Sequence, residues 1–300
     1  MTAPVESPPR AAVPGTQPEG IRDERAAAAY VREMFSRIAP RYDLLNHLLS
    51  LNMDKRWRRR TARRFGHILR RADARVLDLC CGTGDLALAL VDEGVRAERK
   101  SKALTQRSIL RPPRSFGADS GQAEGHREHR GATVWGSDFA HPMLVRAKEK
   151  AGAESHRYEG VAQVRFVEAD TLQLPVADTS FDLVTAAFGF RNLANYGAGL
   201  REIHRVLKPG GEVGILEFAA PRSRALGALY RLYFTQILPR VGGAVSGNRA
   251  AYSYLPASVS KFPEPTELQA QMRAIGFSDP HSDLWTFGVV ALHTARKPRY

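Results

Sequence analysis

Short apolar runs of strand length alternate with helical patterns along most of the chain. The predicted strands are residues 76–79, 133–138, 164–170, 181–187 and 213–218, with a closing pair within 277–296. The predicted helices are residues 24–39, 41–58, 55–71, 85–91, 141–150, 200–207, 226–238 and 265–275, and residues 249–262 are predicted to be an aromatic-rich connection. Alternation of this kind predicts an α/β fold.

The most informative stretch, residues 75–90, reads R-V-L-D-L-C-C-G-T-G-D-L-A-L-A-L. Its apolar start predicts a buried strand, and Gly82 and Gly84 then allow a sharp turn with space for a ligand. Asp85 lies where a helix should begin. Free backbone N–H groups and the positive end of the helix dipole would face the turn, so the stretch predicts a cofactor cradle.

Two carboxylates favour S-adenosylmethionine in this cradle. Residues 82–87 also fit the relaxed dinucleotide pattern G-x-G-x-x-A, which keeps a nicotinamide oxidoreductase as an alternative. Asp78, however, lies where a carboxylate can approach the ammonium and sulfonium charges of a methionyl group. Asp85 lies where a negative charge would repel a pyrophosphate. The structural alternative is a glycine turn that merely links a strand to a helix.

Charged residues follow the next three predicted strands, at the edge where open α/β sheets bind ligands. Asp138 can accept hydrogen bonds from both ribose hydroxyls, because a carboxylate has two oxygens. Asp170 can accept from an adenine amine, or it simply starts a turn. Arg191, within F-G-F-R-N at 188–192, is interpreted as a cation that faces the substrate, with a structural ion pair as the alternative.

The composition adds a strong positive charge. The 300 residues carry a net charge of +13 and the pI is near 10.1, which indicates an anionic partner such as nucleic acid, a lipid surface or an acidic substrate. Cys80 and Cys81 are the chain's two cysteines, and as neighbours they cannot supply a disulfide framework or a zinc site. We therefore expect a reducing cytoplasm and no metal.

Two segments are predicted to be disordered: one precedes a single domain that spans 24–300, and the other interrupts it. Residues 1–23 form a tail rich in Pro, Ala, Glu and Gly without periodicity. Residues 96–131 form a basic insertion in a helix-to-strand connection, where loops are usually about 2–6 residues long. Because the insertion supplies part of the charge, the charge alone does not indicate a nucleic-acid interface.

A basic helix at 55–71 offers another use for the charge. Its apolar stripe consists of Trp57, Thr61, Phe65, Ile68 and Leu69. The helix either lies on an anionic membrane surface or presents an arginine-rich solvated face. The apolar helix at 226–238 is too short to cross a bilayer, and we expect no membrane span and no signal peptide.

Several motifs give the chain a resemblance to a known family. They are Y-D-L-L-N-H-L-L-S followed by W-R, V-L-D-L-C-C-G-T-G-D, F-G-F-R-N, R-V-L-K-P-G-G followed by L-E-F, and Y-S-Y-L-P-A-S-V-S-K-F-P. With them the chain, from about 35 to 296 apart from the insertion, resembles the quinone-biosynthesis C-methyltransferases. The resemblance implies a class I S-adenosylmethionine-dependent methyltransferase, with a Rossmann-like seven-strand sheet and helices on both faces.

The resemblance also carries over individual residues. It places the family's cofactor contacts at Thr83, Asp138, Asp170 and Thr171. The chain departs from the family at Ala187 and Ala219, where the family often has Ser, so one cofactor hydrogen bond is expected to be missing at Ala187. The long basic insertion is also atypical.

The reaction implied is C-methylation of demethylmenaquinol to menaquinol. The alternatives are the same reaction on 2-polyprenyl-6-methoxy-1,4-benzoquinol, or on both quinols, and more remotely an RNA methyltransferase. Arg191 is expected to stabilise a developing phenolate, and Tyr252, Tyr254 or Asn46 to orient a hydroxyl or relay a proton. The expected partners are a prenylated quinol and the anionic inner face of the cell membrane, without nucleic acid; a homo-oligomer stays open.

Overall fold

The computed structural model describes residues 15, 16, 18, 20, 21, 23–109, 131–155, 163–221, 227, 232, 236 and 249–300. The strands are β1 (Arg75–Leu79), β2 (Thr133–Asp138), β3 (Gln163–Glu168), β4 (Phe181–Ala187), β5 (Leu207–Phe218), β6 (Ser278–Trp285) and β7 (Val290–Arg296). The helices are α1 (Glu24–Ile38), α2 (Tyr42–Leu49), α3 (Met53–Arg64), α4 (Gly66–Leu69), α5 (Asp85–Ile109), α6 (His141–Ala153), α7 (Tyr196–Val206), α8 (Arg249–Lys261) and α9 (Pro265–Ile275).

The seven strands form a single sheet in the order β3-β2-β1-β4-β5-β7-β6. The first five are parallel, whereas β7 runs antiparallel to both of its neighbours. The last strand of the chain is therefore inserted between β5 and β6, and β6 pairs with the sheet only through β7. This arrangement confirms the prediction of a Rossmann-like seven-strand sheet.

Both faces of the sheet are buried. Val76 and Leu183 point into a core formed with α4 and α5, while their neighbours Leu77 and Val184 point into a core formed with α7 and α9. Because successive side chains of a strand point to opposite faces, strands covered on both sides become continuous apolar runs. The carboxyl ends of the parallel strands remain free to form a site.

The helix after the glycine turn is much longer than predicted. α5 continues to Ile109, so residues 96–109 are helical where a disordered insertion was predicted, and residues 110–130 of that insertion lie outside the described part. Residues 96–109 contain Ala, Arg, Lys, Glu and Gln and no proline or glycine, so they are good helix formers that prolong an established helix.

Part of the N-terminal tail also differs from the prediction. Thr16 is buried, its backbone N–H donates to the Leu193 carbonyl oxygen at 2.7 Å, and its hydroxyl contacts the Tyr254 hydroxyl at 2.7 Å. A polar segment without periodicity can still be ordered at a few positions when folded backbone and side chains offer it hydrogen bonds. Residues 1–14 and three later ones, 17, 19 and 22, are outside the described part.

Three other segments refine the prediction. The predicted connection at 249–262 is wrong, because α8 forms there with Pro256 inside it. The predicted helix at 55–71 is divided at Phe65 into α3 and α4. The predicted helix at 226–238 lies, apart from three residues, outside the described part. In the ranges that the structure describes, no helix is long and apolar enough to cross a bilayer.

Candidate active site

The glycine turn between β1 and α5 depends on left-handed backbone conformations. Gly82 and Gly84 have φ angles of 55° and 84°, and Cys80 has a φ of 49°. A Cβ atom on Gly84 would also lie 3.2 Å from the Ala147 Cβ and from the Phe166 ring. The turn therefore needs glycine at 84 both for its conformation and for close packing against α6 and β3.

A pocket with about 630 Å³ of empty space, part of it open to solvent, lies over the carboxyl ends of β1 to β4. Its floor includes Cys80 and Gly82 of the turn, and its walls come from the segments that follow β2, β3 and β4. α1 and Tyr42 of α2 cover it. Ligand pockets of this size are typical at this edge of open α/β sheets.

Asp138, at the end of β2, holds the glycine turn. Its Oδ2 accepts from the Gly82 N–H at 2.8 Å, and its Oδ1 accepts from the Ala140 N–H at 2.9 Å. Burial raises the pKa of this carboxyl, although hydrogen bonds from the backbone of Gly82, Ala140 and Phe139 lower it. A carboxylate can accept about four hydrogen bonds, so Asp138 can still accept from the ribose, but it also has a structural role that the sequence did not show.

Asp170 and Thr171, in the segment that follows β3, line the same pocket. Asp170 is exposed, and its Oδ1 accepts from the Leu172 N–H at 2.9 Å. This contact is the one expected if Asp170 starts a turn. Its other oxygen is available to a ligand. Thr171 is buried, with its hydroxyl 3.5 Å from the Cys80 Sγ. Both residues therefore line the large pocket, and their contact with a cofactor stays a prediction.

Asp78 is almost completely buried near the end of β1. Its Oδ1 accepts from the Thr185 hydroxyl at 2.8 Å, while its Oδ2 has no hydrogen-bond partner among the described residues. Burial raises the pKa of Asp78 to about 7. A buried carboxylate oxygen without a partner is costly, so its presence at the glycine turn fits a site for a cation.

Arg191 does not line the large pocket. It is buried, its Nη1 lies 3.1 Å from Oε2 of Glu217, and the same nitrogen donates to the Phe188 carbonyl oxygen. Its Nε has no partner. The geometry therefore favours the structural ion pair over the cation that faces the substrate. The pair had no local signal in the sequence, because Glu217 lies on a strand 26 residues later.

Asn192, which follows Arg191, does line the pocket. The Tyr254 hydroxyl donates to Asn192 Oδ1 at 3.1 Å, so the Thr16 hydroxyl must donate to Tyr254. This chain of hydrogen bonds fixes the amide with its oxygen toward Tyr254. The Asn192 Nδ2 group has no partner among the described residues and can donate to a ligand.

The fold and site can now be set beside known proteins. Residues 22–297 match the model of the ubiE/COQ5 methyltransferase family. The chain belongs to this family. It is an S-adenosylmethionine-dependent methyltransferase, as the motifs predicted.

Relatives along the full length support the family assignment. The chain is 46% identical over 265 residues to the demethylmenaquinone methyltransferase of Thermus thermophilus, covering 88% of this chain and all of that one. It is 42% identical to the enzyme of the same name from Deinococcus radiodurans, covering 93% and 97%. It is 36% identical to the ubiquinone/menaquinone biosynthesis C-methyltransferase of Geotalea daltonii, covering 89% and 96%.

Solved structures support the fold alone. An S-adenosylmethionine-dependent methyltransferase from Thermotoga maritima aligns with a TM-score of 0.51 at 15% identity, covering 89% of this chain and 99% of that one. The [4+2]-cyclase SpnF aligns with a TM-score of 0.54 at 17% identity, covering 96% and 99%. A methyltransferase and a cyclase share this fold, so the reaction has to be argued from the site.

The structure of this family member also shows contacts that its motifs did not predict. Thr83 faces away from the large pocket, and its hydroxyl donates to Asp43 Oδ1 at 2.5 Å. The Lys150 ammonium donates to Thr83 at 2.9 Å and lies 2.6 Å from Asp43 and 2.7 Å from Asp85. Lys150 thereby joins α2, the glycine turn and α6. The sequence did not indicate this role, because Lys150 lies in a helical segment where a lysine is ordinarily exposed to solvent.

One set of donors has the composition of a metal site. Potential ligand atoms of His47, Asp54 and Asp85 lie within 4.8 Å of one another. However, the Arg58 guanidinium donates to Asp54 and lies 3.5 Å from Asp85. The two carboxylates therefore already neutralise a cation of the chain itself, and we propose no metal there.

The remaining predicted residues are Asn46 and Tyr252. Asn46 is half-buried on α2 and forms a side-chain hydrogen bond with Tyr42, whose ring covers the pocket. The Tyr252 side chain lies outside the described part. Tyr42 is thus a pocket residue that sequence reasoning passed over, although it begins the Y-D-L-L-N motif.

Proposed function

We propose that this chain methylates a ring carbon of demethylmenaquinol, with S-adenosylmethionine as methyl donor, to form menaquinol. The observation that carries the proposal is the match to the Thermus demethylmenaquinone methyltransferase along that protein's whole length. The free Asn192 donor group in the pocket supports it, since a quinol presents hydroxyl oxygens. The same reaction on the methoxy-benzoquinol precursor of ubiquinone is the second candidate, because relatives at 36% identity carry names with both quinones.

The residues of the site fit the cofactor. The proposed contacts are Asp78, Gly82, Thr83, Gly84, Asp138, Asp170 and Thr171. Asp138 would accept from the ribose, Asp170 from the adenine amine, and the orphaned Asp78 oxygen from the ammonium. The sulfonium supplies an electrophilic methyl group when bound. Thr83 would act through the turn rather than through its hydroxyl, which is held by Asp43.

The chain's own residues then have to position the quinol ring and hold its oxygen. Removal of a phenolic proton raises electron density at the neighbouring ring carbon, so a donor to the phenolate oxygen favours reaction. Asn192 is proposed for this role, oriented by Tyr254. Arg191 is proposed as a positioning residue that holds the 188–192 turn through Glu217, and Asn46 as one that holds the Tyr42 ring. Tyr252 keeps the role in hydroxyl orientation proposed from the sequence.

The test is methyl transfer from labelled S-adenosylmethionine in detergent, with reduced demethylmenaquinone and reduced 2-polyprenyl-6-methoxy-benzoquinone side by side. We expect product from the first quinol. Product from the second alone would replace the proposal by its alternative. If neither reacts while S-adenosylhomocysteine binds, the substrate is wrong, and RNA with a salt-sensitive response would be examined next.

Replacing Asn192 by Asp tests the proposed donor. Aspartate keeps an oxygen that accepts from Tyr254 but removes both N–H donors and adds a negative charge beside the phenolate. We expect kcat to fall about 100-fold or more, as on loss of an oxyanion donor, with S-adenosylhomocysteine affinity within about twofold. Asn52→Asp, at an exposed position before α3 with no side-chain capping bond, is the control. Equal kcat for both variants would refute the role.

The pKa of Asp78, raised to about 7 by burial, predicts how cofactor binding depends on pH. The ionised carboxylate binds ammonium, and the α-amino group of the ligand, beside its own carboxylate, keeps its proton well above neutral pH. Affinity for S-adenosylhomocysteine should therefore rise about tenfold per pH unit up to about pH 7 and level off above it. Calorimetric titration from pH 5.5 to 9 measures this. Asp78→Asn should weaken binding and flatten the acid limb; an unchanged acid limb would contradict the assignment.

The same shift has a defined sign for stability. Folded Asp78 holds its proton more tightly than the unfolded chain, where its pKa is near 3.8. Its contribution to the free energy of unfolding therefore falls as the pH rises from about 4 to about 7. A bound ammonium would offset this loss. We thus expect the stabilisation by ligand to grow across that range in the wild type and not in Asp78→Asn.

Peripheral contact with an anionic membrane is proposed because the substrate has a prenyl tail. The apolar stripe of α3 and α4 is buried in the core, so that stripe cannot enter lipid. The other face of α3 is exposed and basic, with Lys55, Arg56, Arg59, Arg60, Arg63 and Arg64. Leu51 and Phe287 are 81% and 84% exposed beside this helix, where Trp57 Nε1 donates to the Thr286 hydroxyl. Basic residues near an anionic surface contribute about 1 kcal/mol each.

Charge reversal tests the membrane proposal. Arg59→Glu combined with Arg63→Glu should reduce co-sedimentation with phosphatidylglycerol vesicles about tenfold or more, and leave binding to neutral vesicles unchanged. Arg201→Glu with Arg273→Glu, which alters exposed arginines on α7 and α9, is the matched control. Equal losses from the two pairs would show that net charge alone acts, and the assigned face would be wrong.

A further inference from the structure

A second, smaller pocket adjoins the large one at the glycine turn. It has about 280 Å³ of empty space and is lined mainly by polar side chains, among them Arg58, Asp78, Thr83 and Asp85. Tyr42 and Cys80 line both pockets, so the two meet at the turn. A polar recess beside a larger, mostly apolar pocket can hold a short charged end of a ligand.

Arg58 provides a cation in this recess that the chain only partly uses. The side chain is 6% exposed and packs over the Phe188 ring, 5.5 Å from its centre. Both of its contacts to carboxylates, Asp54 and Asp85, are made by Nη1. Its Nη2 and Nε groups have no hydrogen-bond partner among the described residues. Three of the guanidinium's five N–H donors are therefore left for a ligand.

Asp78 provides an unused anion in the same recess. Thr185 takes Oδ1, and Oδ2 is buried without a partner. A simple structural role does not explain the Asp78 oxygen well, because a buried acceptor that was only structural would be expected to bond to something. A cation with free donors and an anion with a free acceptor, in one small recess, match an α-amino acid zwitterion.

We propose that Arg58 binds the carboxylate of the methionyl end of the cofactor while Asp78 binds its ammonium. The assignment deepens the proposed function and rests on its methyl donor, but not on its quinol. Asp54 acts as a positioning residue. It accepts from Ser50 Oγ at 2.6 Å, contacts His47 Nδ1 at 2.8 Å and accepts from Nη1 of Arg58, and so fixes the guanidinium at the recess that Arg58 lines. Bidentate contact with a carboxylate is the arrangement that a guanidinium favours.

Paired ligands test the assignment without any catalysis. The binding of S-adenosylhomocysteine is compared by calorimetry with that of its decarboxylated analogue, S-adenosyl-3-thiopropylamine, which keeps the ammonium. The wild type should bind the intact ligand about 10- to 100-fold more tightly, as expected for a charge-assisted pair. In Arg58→Met this preference should shrink to less than about threefold. Arg58→Lys, which keeps the charge but not the planar donor fork, should retain part of it.

The controls separate ligand contact from damage to the fold. Arg59→Met, the exposed neighbour on α3, should keep the wild-type preference. Equal affinities of the two ligands for the wild type overturn the proposal even if every Arg58 variant is unfolded. Equal weakening of both ligands by Arg58→Met and by Arg58→Lys also overturns it, because Arg58 would then only hold the turn. Failure of quinol methylation with the ligand preference intact would refute the substrate and leave this assignment standing.

Discussion

Replacing Glu217 by Gln is expected to lower the free energy of unfolding by about 3–5 kcal/mol, the range observed when one partner of a buried ion pair is removed. Glu217 is 0% exposed. Its carboxylate accepts from the Arg191 guanidinium, from the Arg191 N–H at 3.1 Å and from the Phe218 N–H at 3.2 Å. Glutamine loses the charge that neutralises a buried arginine. Denaturant unfolding with constant m-value measures the loss.

A surface pair provides the comparison. Glu33 and Arg37 form an ion pair 2.7 Å long on α1 with both side chains more than half exposed. Glu33→Gln should change stability by no more than about 0.5 kcal/mol, because water screens such pairs. A similar small effect at Glu217 would mean that the buried pair is not formed in solution.

A double replacement separates the two roles considered for Arg191. Arg191→Met with Glu217→Leu removes both charges and keeps apolar volume, so it should be clearly more stable than Glu217→Gln. Methyl transfer by the folded double variant within about tenfold of the wild type would support the positioning role. A loss of several hundredfold with intact cofactor binding would instead restore the cation that acts on the substrate.

Replacing Gly189 by Ala should disrupt both stability and cofactor binding. A Cβ atom at Gly189 would lie 2.3 Å from the Cβ of Cys80, closer than two carbon atoms can pack, so the backbone of one segment must move. Both segments line the large pocket. We expect a loss of about 1–3 kcal/mol in stability, as for an overpacked core, and at least a tenfold loss of S-adenosylhomocysteine affinity. Gly152→Ala, where a Cβ would meet nothing, should have neither effect.

A compensating change makes this prediction specific. Cys80→Gly removes the atom that collides, and Cys80 has a φ of 49°, which glycine adopts without strain. The double variant Cys80→Gly with Gly189→Ala should therefore recover most of the lost affinity. If Gly189→Ala is harmless, or if removing the Cys80 side chain does not help, the close approach of the two segments has been misassigned.

Local patterns predicted the fold well because they act over short distances. The strand at 181–187 and the helix at 265–275 have the predicted bounds, since an apolar run bounded by turns and a helical period ended by Gly276 are local signals. A connection rather than the helix α8 was predicted at 249–262. The segment contains Pro256, and a proline inside a helix removes a hydrogen bond and is rare. The length of α5 was missed because a basic, hydrophilic segment lacks the apolar period that marks a helix packed on a core.

The site was predictable only in part for the same physical reason. Asp138 and Asp170 were predicted because the ends of parallel strands meet at one edge of a sheet, and Thr171 was predicted from the family resemblance; all three line the large pocket. The partners of Arg191 and of Arg58, by contrast, depend on which charges the fold brings together, and no spacing along the chain encodes this. Asn192 was passed over within a motif already quoted, because its neighbour Arg191 carried the more conspicuous charge.

The position of β7 has a consequence for how the chain is made. During synthesis, the edge of β5 that is interior in the finished sheet stays unpaired until β7 has emerged from the ribosome. β6 likewise has no strand to pair with until then. Unpaired apolar edges are where nascent chains aggregate or recruit chaperones. A premature stop or a protease that removes β7 would thus remove two strands from the sheet rather than one, because β6 pairs only with β7. The cell's chaperones and proteases would then encounter a five-stranded sheet with the edge of β5 exposed.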